Sequence, residues 1–132
     1  MNTPCYCAAI RSAARKTTAL YDAALAPAGV NLAQYSLLRK IERLGPVSLT
    51  ELASVAELDR STVGRNVKVL ERRRLVRFKS ADDQREAAVG LTAAGAEALR
   101  RGEPLWNNAQ RRIETTLGAE GAKRLRALAL AF

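Results

Sequence analysis

Six polar side chains between positions 60 and 68 carry the chemistry that this chain declares most openly: Arg60, Ser61, Thr62, Arg65, Asn66 and Lys68. Guanidinium, hydroxyl, amide and ammonium groups donate hydrogen bonds, and such donors suit phosphate oxygens and the edges of bases. Val63, Val67 and Leu70 are interleaved with them at i, i+4 and i+7. A helix over Asp59–Arg73 therefore puts the donors on one side and a narrow apolar stripe on the other. Asp59 suits the N-cap, because its carboxylate accepts from the free amides of a first turn. Taken alone, such a face is also what a solvated helix on an ordinary core presents, so its neighbours must decide.

Cys5 and Cys7 are the two thiols of the chain, and there is no histidine. Two cysteines so placed exclude a disulfide scaffold. Without imidazole the commonest general base and metal ligand is missing, and two thiolates would complete a tetrahedral site only across a dimer. Thr3 reads as an N-cap with Pro4 at the first helical position. That places Cys5 in the first turn, where the helix dipole favours thiolate. Thiols two residues apart point to different sides of a helix, so a bridge within one chain would require unwinding. Two small apolar residues at a dimer surface and a redox sensor are both open readings of the pair. No glycine-rich phosphate loop follows a strand, and Asp82-Asp83 reads as a turn pair, so neither enzyme activity nor a cofactor is expected.

The elements that must position these groups are mostly helical. Apolar residues make up 48% of the 132, aromatic residues only 5%, and alanine and leucine dominate, which favours helices in one domain. A first helix is expected from about Cys5 to Leu25, with Ile10, Ala13, Thr17, Leu20 and Ala24 on one stripe, ended by Ala26-Pro27-Ala28-Gly29. Asn31 and Gln34 form a variant capping box before a second, with Tyr35, Leu38, Ile41 and Leu44 inward. Ser48-Leu49-Thr50-Glu51 is a capping box for a short third helix, and Glu57-Leu58 connects it to Asp59. A short helix, a tight turn and a longer basic helix make the helix-turn-helix order, with the second helix placed for a major groove.

After Arg73 the period changes. Leu75–Lys79 alternates apolar and basic residues, Ser80–Arg85 is turn-rich, and Glu86–Leu91 suits a return strand, so a hairpin, or wing, is expected. Thr92 caps a further helix with Leu99, Trp106, Ala109, Ile113 and Leu117 on its stripe. Gly102 and Pro104 should bend it or open a turn. A last helix after Gly118 stays apolar to Phe132, and a second subunit is expected to cover it.

The formal net charge is +9, which points to a polyanionic partner. Within residues 60–85 nine basic and three acidic residues leave +6, a concentration that argues against a winged helix used only for protein contacts. No apolar run approaches a membrane span, and no basic segment precedes an apolar core as in a secretory signal. A cytoplasmic protein with no membrane partner is expected.

Leu49-Thr50-Glu51-Leu52-Ala53, Asp59-Arg60-Ser61-Thr62-Val63, Leu70-Glu71-Arg72-Arg73, Leu75-Val76, Asp83-Gln84-Arg85 and Leu91-Thr92-Ala93-Ala94-Gly95 stand in this order. The set resembles the winged helix-turn-helix of the MarR family of bacterial transcriptional regulators. The resemblance implies a mainly α fold with a small β wing. It implies a DNA-binding lobe over 31–95 between dimerisation helices at 1–30 and 96–132. It further implies a homodimer on a pseudo-palindromic double-stranded operator, released by a small aromatic acid or an oxidant. By position, Arg60, Ser61, Thr62 and Arg65 become groove-facing, and Asn66 and Lys68 phosphate contacts. Arg85 becomes a wing-tip arginine for the minor groove, oriented by Asp83. The family's peroxide sensors imply a redox role for Cys5 and Cys7. Its effector pocket implies a site at Tyr21, Tyr35 and Trp106 with Arg11 or Arg15 as anion partner. A protein-contact module or a non-specific DNA binder is the alternative. Arg74 departs from the family pattern, which has glycine there, so a left-handed turn at a non-glycine residue is expected if the family turn is kept.

Overall fold

Helix α1 covers Tyr6–Leu25 and runs into a single 3-10 turn, Ala26–Ala28, in the computed structural model of the chain, which describes residues 3–79 and 87–132. Thr3 is not the cap. Pro4 favours extended backbone before it, Cys5 is itself still extended (φ −68°, ψ 118°), and the first helical bond runs from Ala9 N–H to Cys5 O at 3.1 Å. Cys5 therefore holds the N-cap position without a side-chain bond, ahead of the first turn instead of within it.

Gly29, at φ 79°, ends the 3-10 turn. Helix α2 (Leu32–Leu44) then opens with a reciprocal box: Asn31 Oδ1 accepts from Gln34 N–H at 2.9 Å, and Gln34 Oε1 accepts from Asn31 N–H at 3.0 Å. The remaining elements are β1 (Val47–Ser48), α3 (Leu49–Ala56), α4 (Arg60–Arg72), β2 (Val76–Lys79), β3 (Ala88–Leu91) and α5 (Ala93–Ala131). β3 lies between β1 and β2, antiparallel to both, with Val89 opposite Val47 on one side and Phe78 on the other. The hairpin expected of the wing thus forms, and residues 80–86, which carry Asp83 and Arg85, lie outside the described residues. β1 was not foreseen, because two residues are too few to show a period.

No turn opens at Gly102 or Pro104. Dihedrals inside α5 leave the helical region at Gly118 (φ 73°, ψ 168°), where the last helix was expected to start. Gly102 serves packing instead. A Cβ there would stand 2.8 Å from Tyr35 Cε2, so the bare backbone lets α5 lie directly against the ring on α2.

One apolar cluster joins Leu25, Leu38, Ile41, Leu52, Val89 and the stripe Val63, Val67 and Leu70 of α4. The donor-bearing helix is therefore a wall of the core, and its polar side is free to face outward. Its C-terminus ends in a left-handed residue, Arg74 at φ 61°. Leu75 N–H reaches Leu70 O at 3.0 Å and Arg74 N–H reaches Glu71 O at 2.9 Å, the paired bonds of a Schellman turn, with Leu70 and Leu75 both buried beneath it. The family turn is kept, with an L side chain in a conformation that strains it. Replacing it with glycine, Arg74→Gly, is expected to stabilise the fold by about 1 kcal/mol, read as a higher urea midpoint at unchanged slope; a lower midpoint would mean that the arginine side chain outweighs the strain.

Among the described residues no helix is long and apolar enough to cross a membrane.

Candidate nucleic-acid interface

Helix α3 is closed by Glu57 in a left-handed conformation (φ 56°, ψ 40°), with Leu58 N–H bonded to Ala53 O at 3.1 Å. That turn leads directly into Asp59. The Asp59 carboxylate accepts the Thr62 amide at 2.8 Å, so α4 is capped as its sequence predicts. It also accepts the Ser61 hydroxyl at 2.6 Å and the Thr62 hydroxyl at 3.0 Å. These bonds, that of Ser61 foremost, hold its pKa down at about 2. Such a depressed carboxylate contributes its cap above the ordinary carboxylate range and loses it only as pH falls through about 2, so the cap is fully ionised near neutrality.

Arg60, Ser61, Arg65 and Lys68 are exposed, and Thr62 and Asn66 half-buried, as two turns of one helix leave them when Val63 and Val67 point into the core. Arg60 Nε donates to Thr50 Oγ1 at 3.3 Å, which ties the first turn of α4 to α3. Arg65 Nη2 donates to Thr62 Oγ1 at 3.3 Å. Arg77 and Lys79 are exposed on β2, so the wing strand continues the basic surface.

The far end of α4 is held by a contact that the sequence did not disclose. Arg73 donates to the carbonyl of Gly29 and, at 3.3 Å, to Gln34 Oε1. Arg101 of α5 donates to Pro27 O at 2.7 Å. Two arginines thus fasten the elbow between α1 and α2, one to α4 and one to α5. Both partners are backbone carbonyls distant in sequence, which no spacing rule reveals.

The aromatic residues do gather. Trp106 lies 6.5 Å from Tyr21 and 6.4 Å from Tyr35 between ring centroids, and the Tyr21 hydroxyl donates to Gln110 Oε1. Tyr35 is a buried core residue, and burial pushes its phenol up while the Arg39 charge opposes that. The cation at these rings is Arg39, 4.7 Å above Trp106 and 5.8 Å from Tyr35. Arg11 and Arg15 are exposed on α1 and line neither cavity at Trp106. One of these, of about 460 Å³, is walled by Tyr35, Arg39, Glu42, Arg100, Glu103 and Trp106. The i, i+4 spacing of Tyr35 and Arg39 on α2 was the signal available for this pairing. Cys5 and Cys7 are free and exposed at the start of α1.

Against known proteins, the model of the MarR family matches residues 28–86. A transcriptional regulator of M. tuberculosis, MosR, solved in complex with DNA, is 35% identical, with a TM-score of 0.85 over 96% of this chain and 93% of that one. A mutant MarR from E. coli complexed with operator DNA is similar in fold, at 23% identity and a TM-score of 0.82 over 91% of this chain and 87% of that one. YhbI of Bacillus subtilis, an uncharacterized HTH-type transcriptional regulator, is 30% identical over 92 residues, 69% of this chain. The chain spans 60% of the length of YhbI and 47% of that of a second such regulator from the same organism, YxaD. Helix order, three-stranded wing sheet, left-handed turn at Arg74 and these likenesses agree: the chain belongs to the MarR family of transcriptional regulators.

Proposed function

We propose that this protein is a homodimeric repressor that reads a pseudo-palindromic operator in double-stranded DNA by placing α4 in the major groove. The observation that carries the reading is the polar side of α4, on which Arg60, Ser61 and Arg65 are exposed and Thr62 half-exposed, opposite the Val63 and Val67 that join the core. Residues 31–95 form the DNA-binding lobe, and 1–30 and 96–132 the dimerisation helices. Arg60 and Arg65 reach guanine O6 and N7, Asn66 and Lys68 hold the backbone, and Arg85, steered by Asp83, enters the minor groove beside it. The DNA complex of MosR supports this docking by likeness.

Release follows when an effector changes the dimer. A small aromatic acid fits the cavity beside Trp106, with its ring on Trp106 and its carboxylate on Arg39. Oxidation at the exposed Cys5 and Cys7 is the second route, favoured by the position of both thiols at the accessible start of α1.

Selection of bound DNA from a random pool tests the reading, and a two-fold symmetric consensus is expected. Arg65→Ala should then weaken the selected site by about 1–3 kcal/mol, or roughly five- to 150-fold, and relax preference at one base pair per half-site. Uniform weakening on all sequences would make Arg65 a backbone contact, and absence of any consensus would overturn sequence-specific regulation. A screen of oxidants and phenolic acids for release from the selected site separates the two effector routes.

A further inference from the structure

Asp59 does more than close a helix end. A hydroxyl has one hydrogen and two lone pairs. Ser61 spends its hydrogen on Asp59 at 2.6 Å and Thr62 spends its own at 3.0 Å. What both side chains then offer outward is lone pairs alone. Phosphate oxygens are acceptors, so hydroxyls held in this way have nothing to give them. Within the major groove the complementary groups are the exocyclic amines, adenine N6 and cytosine N4. Thr62 also accepts from Arg65 at 3.3 Å, so the same carboxylate steadies, through Thr62, the guanidinium three residues further along the helix.

Resting on the proposed docking of α4 in a major groove, we infer that Asp59 is a positioning residue for specificity: it fixes Ser61 and Thr62 as hydrogen-bond acceptors, so that the first turn of α4 selects bases bearing an amino group and discriminates against the phosphate contacts these hydroxyls would otherwise make. The arrangement has a consequence for general affinity. An ionised carboxylate beside a polyanion opposes attraction to any sequence, so Asp59 lowers binding to random DNA while sharpening choice.

Asp59→Asn separates this role from capping. Asparagine ranks with aspartate as an N-cap, and its carbonyl oxygen still accepts the Thr62 amide. Its NH₂ replaces one accepting oxygen by a donor, which turns the Thr62 hydrogen outward. Expected for Asp59→Asn are an unchanged urea midpoint, several-fold tighter binding to random-sequence DNA, and a selected site that has lost its adenine or cytosine preference opposite the first turn. The ratio of specific to random binding should fall on the order of tenfold. A folded Asp59→Asn protein that selects the wild-type site with the wild-type ratio overturns the inference and leaves Asp59 a cap only. The double variant Ser61→Ala, Thr62→Val keeps the carboxylate and its bond to the backbone amide, and should lose the same base preference without the gain in random-DNA binding expected of Asp59→Asn. Equal weakening of that variant on every sequence would mean phosphate contacts and would likewise overturn it. Should the wild type select no site at all, the operator reading itself falls, a result distinct from either variant behaving as wild type.

Discussion

Gly95→Ala is expected to destabilise the protein by about 4 kcal/mol, combining about 3 for overpacking against backbone with about 1 for a strained hydrogen bond. A Cβ at Gly95 would stand 2.1 Å from Leu75 O and 3.1 Å from Leu75 C. The obstacle is main chain, and it is pinned: Leu75 O accepts from Thr92 N–H at 3.1 Å, and the Thr92 hydroxyl donates to Arg74 O at 2.6 Å while accepting from Gly95 N–H at 3.1 Å. Room for one methyl group can come only by breaking the joint between the start of α5 and the turn that ends α4. Set against the roughly 5–15 kcal/mol of a typical domain, the loss should remove between about a quarter and four-fifths of the stability. Urea denaturation followed by the fluorescence of Trp106, the one tryptophan, measures it. Gly64→Ala is the control: there a Cβ meets Leu49 Cδ1 at an ordinary 3.9 Å, and the helix interior should gain about 0.5–1 kcal/mol. Equal stability of Gly95→Ala and wild type would refute the close approach.

The second large effect concerns assembly. Leu125 is 51% exposed and Leu128 39% in the single chain, and Tyr6 and Ile10 of α1 are exposed as well. Side chains so placed add little to the fold of one protomer and much to contact with another. On the proposed dimer, the variant Leu125→Glu, Leu128→Glu should therefore keep its helical circular dichroism and run as a monomer at concentrations where the wild type is expected to sediment as a dimer. On the proposed two-fold operator its affinity for the full site should fall by about 10²–10⁴, because the second half-site would no longer be tethered to the first. Affinity for an isolated half-site should stay within a factor of two or three. A variant that remains dimeric would remove Leu125 and Leu128 from the interface.

Helix order was legible because each start is written locally. Asn31, Ser48, Asp59 and Thr92 each accept from the amide of the residue three positions on, and the buried stripes of α2 and α4 recur at the helical period. The joints were not legible. Gly102 reads as a breaker in sequence and is a packing surface in space, because what it touches is Tyr35, some 67 positions away. Nothing in the spacing of Arg73 and Arg101 marks them out, yet they fasten carbonyls of the α1–α2 elbow. At the aromatic cluster the rings were foreseen and the cation was not: long side chains on α1 and α2 offer equal charge, and only the fold decides that Arg39 lies over Trp106. On α4 the donor face was plain, but the sense of its hydroxyls was hidden. Whether a serine gives or takes a hydrogen bond depends on where Asp59 points.

For the proposed docking of α4, Arg73 also bears on the kinematics of recognition. With its C-terminal end moored to Gly29 and Gln34, its first turn tied to α3 through Thr50 and Val63, Val67 and Leu70 in the core, α4 can tilt only together with the elements it packs against, about a fulcrum at the elbow. Its 13 residues make it about 20 Å long at 1.5 Å per residue. A tilt of about 5° at the fulcrum then sweeps Arg60 and Ser61 through roughly 1.7 Å, more than the roughly half-ångström latitude of a good hydrogen bond. Angular change too small to disturb the packing of the elbow is amplified, at the tip of the arm, into the difference between contact and none.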